Sequence, residues 1–84
     1  MITLLYFARL REALGTGSEQ FALSPTVRTL SALRVHLAQR GGAWEKEMAA
    51  GRNLRAAVNQ TVATADAPIA DGDEVAFFPP VTGG

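Results

Sequence analysis

The sequence has 84 residues, 48% of them hydrophobic, with eight Lys+Arg balancing eight Asp+Glu. That describes one small domain and excludes a two-domain enzyme or a deep active-site cavity. The cationic residues are scattered along the chain, so neither nucleic acid nor an anionic membrane is an expected partner.

The chain contains no cysteine, which excludes disulfides, thiolate metal sites, a cysteine nucleophile and a persulfide carried on a side chain. A single His36 cannot build a histidine metal site. The opening Met1–Ala8 is apolar, yet it has no basic leader, is far too short to span a bilayer and runs into Arg9, Arg11 and Glu12. A cytoplasmic location is expected.

Residues 2–8 read as a strand, with Ile2, Leu4 and Tyr6 on one face and Thr3, Leu5 and Phe7 on the other. Arg9–Leu14 then fits one or two helical turns, stopped by a turn at Gly15-Thr16-Gly17. A second strand over about Ser18–Ser24 should pair with the first. Thr29 is a candidate N-cap, and Leu30, Leu33 and Leu37 recur at helical spacing to about Gln39, with Gly41-Gly42 predicted to end that helix. Ala43–Ala50 reads as a short helix whose Trp44 and Met48 share a packed face.

Ala56-Ala57-Val58 is a short strand, Asn59-Gln60 a bend, and Thr61-Val62-Ala63 a brief extended piece. Asp71, Asp73 and Glu74 around Gly72 are read as turn formers, since the rest of a calcium-loop pattern is missing. Glu74–Phe78 is the last strand. Strand, strand, helix, then short strands suit an α+β fold, a mixed sheet wrapped around one main helix. The first and last strands lie side by side and parallel in that layout.

The domain is expected to span residues 1–78 and an extended arm residues 79–84. Pro79-Pro80 forbids continuation as a central strand, and Val81-Thr82-Gly83-Gly84 completes the arm. Without Cβ atoms, Gly83 and Gly84 suit a flexible end that enters a space too narrow for side chains. The Gly84 carboxylate is then the candidate reactive group. A carboxylate is an inert anion, and acyl transfer from it requires a mixed anhydride, most simply with AMP from ATP. The chain has no phosphate-cradling loop and no nucleophile–base pair, so a second protein must perform that activation.

The run Ala57-Val58-Asn59-Gln60 and the ending Pro68–Gly84, with Phe77-Phe78-Pro79-Pro80-Val81-Thr82-Gly83-Gly84 its most specific part, closely resemble the small, sulfur-carrier subunits of molybdopterin synthase. The opening Ile2–Arg11 shares the likeness, whereas Arg28–Gly51 matches only in pattern. The resemblance implies a ubiquitin-like β-grasp fold and no catalysis by this chain alone. It also implies a cycle in which an adenylyltransferase akin to ubiquitin-activating enzymes adenylates Gly84 using ATP. A sulfurtransferase or cysteine desulfurase supplies sulfur for a thiocarboxylate. The arm, through Pro80, Val81, Thr82 and Gly83, then threads into the large subunit, which holds the catalytic residues. There sulfur passes to cyclic pyranopterin monophosphate to form the molybdopterin dithiolene, in a heterotetramer of two small and two large subunits. No cofactor is permanently bound in this scheme.

Period-two alternation turns Leu5, Phe7 and Phe78 away from the helix. Phe7 and Phe78, with Val62 nearby, are expected to form an exposed apolar docking patch beside the root of the arm. His36 reads as a surface or capping residue. Two other functions share these features: a sulfur carrier for thiamine thiazole synthesis, and a ubiquitin-like modifier joined through Gly84 to lysine.

Overall fold

The computed structural model describes residues 1–49 and 51–80. Strands β1 (Ile2–Tyr6), β2 (Ser18–Phe21), β3 (Arg55–Val58), β4 (Thr61–Ala63) and β5 (Glu74–Phe78) form one sheet in the order β2-β1-β5-β3-β4. β1 runs parallel to β5, with Leu4 opposite Val75 and Tyr6 opposite Phe77, and the other neighbouring pairs are antiparallel. Helix α1 (Ala8–Leu14) links β1 to β2, and α2 (Leu30–Ala38) and α3 (Gly42–Met48) lie between β2 and β3. The parallel pair needs a long crossover, and the helical middle of the chain provides it. The predicted mixed sheet and α+β class are observed.

One face of the sheet makes the core. Ile2, Leu4, Tyr6, Val75 and Phe77 alternate inward and pack with Leu10, Leu30, Leu33, Leu37 and Met48. The leucines of α2 fall on one side because their spacing matches the helical repeat. Thr29 caps that helix as predicted, its hydroxyl accepting the Ala32 N–H at 3.2 Å. At the other end the helix stops where predicted, and the glycines have a second role. α2 closes at Ala38, while Gly41 is the N-cap of α3 and Gly42 its first residue, both with positive φ. The Gly41 N–H donates to the Ala38 carbonyl, so Gly41 closes the last turn of α2 and also opens the next helix. Trp44 and Met48 do turn toward the core, Met48 fully buried and Trp44 edge-on to Tyr6 at 5.3 Å.

β1 and β2 are shorter than expected. Phe7 is extended but already serves as the N-cap of α1, and Ala8 is left-handed (φ 54°). That kink turns the chain off the sheet after Tyr6, while the Phe7 N–H still donates to the Phe77 carbonyl. In the β3–β4 hairpin Asn59 and Gln60 both have positive φ, the geometry that follows the natural twist of a two-residue turn. The acidic turn is structural as predicted: the Asp73 carboxylate accepts the Ala70 N–H and the Asn59 amide, and the Asn59 carbonyl accepts the Glu74 N–H. His36 is exposed and stands edge-on to Phe21.

A polar cluster fastens β1 and β2 to the end of α2. Arg40 donates to both oxygens of Glu19 at 2.9 Å, the Tyr6 hydroxyl donates to the same carboxylate, and the guanidinium lies over Trp44. The Arg40 hydrogen bonds hold the Glu19 carboxyl below its usual range, and that from Tyr6 adds to the effect against the opposing influence of burial. Because the folded pKa lies below the unfolded one, the stabilisation is present above about 4.5 and is lost as pH falls from there through the folded value. Glu19→Gln is therefore expected to be about 1 kcal/mol less stable at pH 7. Its thermal midpoint should also fall less steeply than the parent's as pH drops below 4.5, which melting curves across that interval would check.

Candidate functional site

The strand that precedes the predicted arm lies in the middle of the sheet. β5 lies between β1 and β3 and ends at Phe78, after which Pro79 and Pro80 are half-buried. Proline has no backbone N–H, so the ladder cannot be extended with full hydrogen bonding beyond Phe78. Of the predicted arm, Pro80 is described, while Val81, Thr82, Gly83 and Gly84 lie outside the described residues.

The sheet face opposite the core carries the predicted patch. Directly opposed residues share a face, and the registers align Leu5, Ala76, Ala57 and Val62 in one row across four strands. The next row along β5 places Phe78 opposite Arg55, and the Phe7 N–H bond to Phe77 continues the β1–β5 ladder to bring Phe7 alongside. None of these residues belongs to the core cluster on the other face. Phe7 is 47% and Val62 64% exposed.

Phe78 departs from the expectation of a freely exposed ring, being half-buried. Its strand is central, so neighbours on β1 and β3 flank it, whereas Val62 sits on the edge strand β4. Phe7, Val62 and Phe78 thus share one face, with Val62 two strands from β5. The small Ala57 and Ala76 between them keep the surface low and continuous. Sequence reasoning did not assign those alanines or Arg55 to the patch, although counting by twos from Phe78 reaches Ala76, and one step from the core-facing Val58 reaches Ala57 and then Arg55 on the same outer face.

Two segments flanking the exit are tied together by a buried carboxylate. Glu47 on α3, only 6% exposed, meets Arg9 of α1 and Arg52, each at 3.2 Å. Arg9 follows the kink after Phe7, and Arg52 leads into β3 at Arg55, so the ion triad braces both flanks of β5. Arg34 braces the same loop by donating to the carbonyls of Met48, Ala49 and Arg52. These contacts fix the frame from which the apolar face is presented. The arrangement leaves an apolar strip with the exposed Phe7 and Val62 beside the end of β5.

Comparison with known proteins agrees with this geometry. Molybdopterin synthase sulfur carrier subunits of Escherichia coli and Haemophilus influenzae are 51% and 43% identical, each over 100% of both chains. Among solved structures, SAMP1 from Haloferax volcanii superposes with a TM-score of 0.76 at 25% identity, covering 99% of this chain and 98% of its own. A chain of the protein–protein complex of subunits 1 and 2 of the molybdopterin-converting factor from Helicobacter pylori shares the fold with a TM-score of 0.65 at 21% identity, covering 99% of this chain and 97% of its own. The fold is the ubiquitin-like β-grasp. With residues 4–84 matching its pattern, the chain belongs to the ThiS family.

Proposed function

We propose that this protein is the sulfur carrier subunit of a molybdopterin synthase. The observation that carries the reading is the full-length likeness to two curated proteins of that name; the apolar face at the root of the arm supports it. The family also fits a carrier for thiamine thiazole synthesis, but both full-length relatives favour molybdopterin.

In the proposed cycle the Gly84 carboxylate attacks the α-phosphorus of ATP on an activating enzyme, giving the acyl adenylate and pyrophosphate. A persulfide carried by a sulfurtransferase or cysteine desulfurase displaces AMP to give an acyl disulfide, and a thiol reductant then cleaves its S–S bond, leaving the thiocarboxylate and the oxidised thiol as a disulfide. Sulfur is more polarisable and nucleophilic than oxygen, so one substitution turns an inert terminus into a donor. Phe7, Val62 and Phe78 dock the domain on the large subunit, and Pro80, Val81, Thr82 and Gly83 lead the terminus into it. The large subunit catalyses transfer to cyclic pyranopterin monophosphate, within a heterotetramer of two small and two large subunits. ATP belongs to the activating enzyme and this chain keeps no resident cofactor. The cycle is assigned to the cytoplasm.

Intact-mass analysis of the protein, incubated with activating enzyme, ATP and a sulfur source, tests the reading. An oxygen-to-sulfur mass increase confined to Gly84 is expected. Ladders of larger protein adducts would assign it to protein modification, and an unchanged mass would defeat the carrier reading.

A further inference from the structure

The docking face contains one charge whose neighbours are apolar. Arg55 stands directly opposite Phe78 in the β3–β5 ladder and shares its face with Ala57, one alternation further on. It is exposed. Most of the chain's other arginines are engaged: Arg9 and Arg52 with Glu47, Arg40 with Glu19, Arg34 and Arg28 with backbone carbonyls. Among the described residues Arg55 has neither an ion pair nor a side-chain hydrogen bond, and the residues directly across from Arg55 and Ala57 are Phe78, Ala76 and Val62.

Opposed side chains in an antiparallel pair begin about 5 Å apart. A protein surface that covers Phe78 must therefore cover or closely border Arg55. An arginine keeps its charge at any working pH and is costly to bury without a countercharge. We infer that the large-subunit surface seated on this face carries a carboxylate opposite Arg55, inside or at the rim of an apolar patch. Arg55 is then a specificity-determining residue: it favours an acidic, apolar partner and penalises one that offers only hydrocarbon or a cation. The inference rests on the sulfur-carrier reading above and adds the chemistry of the partner surface. The alternative is that the long arginine stem lies along the apolar strip and carries its head into water, in which case the charge contributes nothing to recognition.

Binding kinetics of the full-length protein with the large synthase subunit of its own organism separate these. Arg55→Leu should weaken binding at least about 10-fold and Arg55→Glu about 100-fold, largely through faster dissociation, while Arg55→Lys retains more affinity than Arg55→Leu. Circular dichroism melts of the free variants, expected to match the parent, exclude a folding defect. Arg55→Leu binding as tightly as the parent, or more tightly, overturns the inference even where Phe78→Ala weakens the complex and so upholds the docking face. Failure of the unsubstituted protein to bind the large subunit would defeat the sulfur-carrier reading itself and this inference with it.

Discussion

Removal of Gly84 is expected to abolish sulfur transfer to cyclic pyranopterin monophosphate while leaving the domain folded. The two halves of that result have separate physical causes. A fully extended residue reaches about 3.5 Å, so the shortened arm presents the Gly83 carboxylate that far short of the site where Gly84 is adenylated and later reacts. A displacement of about 1 Å can already cost on the order of 100-fold in rate, because the reacting atoms no longer meet in an attack geometry. A 3.5 Å withdrawal should therefore lower transfer by more than 100-fold. The core, by contrast, is made by buried residues running from Ile2 to Phe77, and among the described residues none lies within the arm. The melting temperature should stay within about 2 °C of the parent. Synthase assays with the shortened protein and purified large subunit, paired with thermal melts, measure both halves. Transfer at the parental rate would show that the covalent chemistry lies elsewhere in the molecule.

Much of the architecture was legible because local patterns agreed with the tertiary result. Ile2, Leu4 and Tyr6 alternate, Leu30, Leu33 and Leu37 follow a helical repeat, and Thr29 sits where a cap is required. The sequence signal is incomplete where one residue type serves two structural ends. Gly41 and Gly42 read as a helix stop, but left-handed glycine also suits the entry to α3, and that helix is held there by Trp44 packing on Tyr6. Ala8 carries no sequence signal for a left-handed kink. Its conformation is set by bonds made on either side, from Phe7 to Phe77 and from Leu10 and Arg11 back to Phe7.

The candidate site shows the same division. Phe7 and Phe78 could be assigned to the outer face by counting in twos, which requires only their own strands. The place of Arg55 depends on the β3–β5 register, and the Glu47 triad joins Arg9 to α3 across 38 positions. Such pairings follow from the folded topology, which periodicity does not encode. Alternation places Phe78 on the correct face but predicts too much exposure, because the flanking of β5 by β3 as well as β1 is set by the topology.

Adjacent phenylalanines in β5 provide the sharpest separation of folding from recognition. Phe77 points into the core, 2% exposed, and stacks on Tyr6 with ring centroids 6.3 Å apart and planes 10° from parallel. Phe77→Ala removes a large buried ring and leaves a cavity beneath the sheet, which should cost about 3–5 kcal/mol. A domain of this size has about 5–15 kcal/mol in total, so the melting midpoint should fall by at least about 12 °C. Phe78 lies on the opposite face and is half-buried among Phe7, Arg55 and the arm root. Phe78→Ala should lose about 1 kcal/mol or less of stability, yet weaken binding to the large subunit at least about 10-fold, as truncation of an aromatic interface anchor does. Urea unfolding and binding titrations of the two variants should therefore give opposite rankings. A Phe78→Ala protein that binds with undiminished affinity would remove this face from the docking surface. Equal destabilisation by the two substitutions would mean that both rings serve the core, because a one-residue step along a strand reverses the face a side chain occupies.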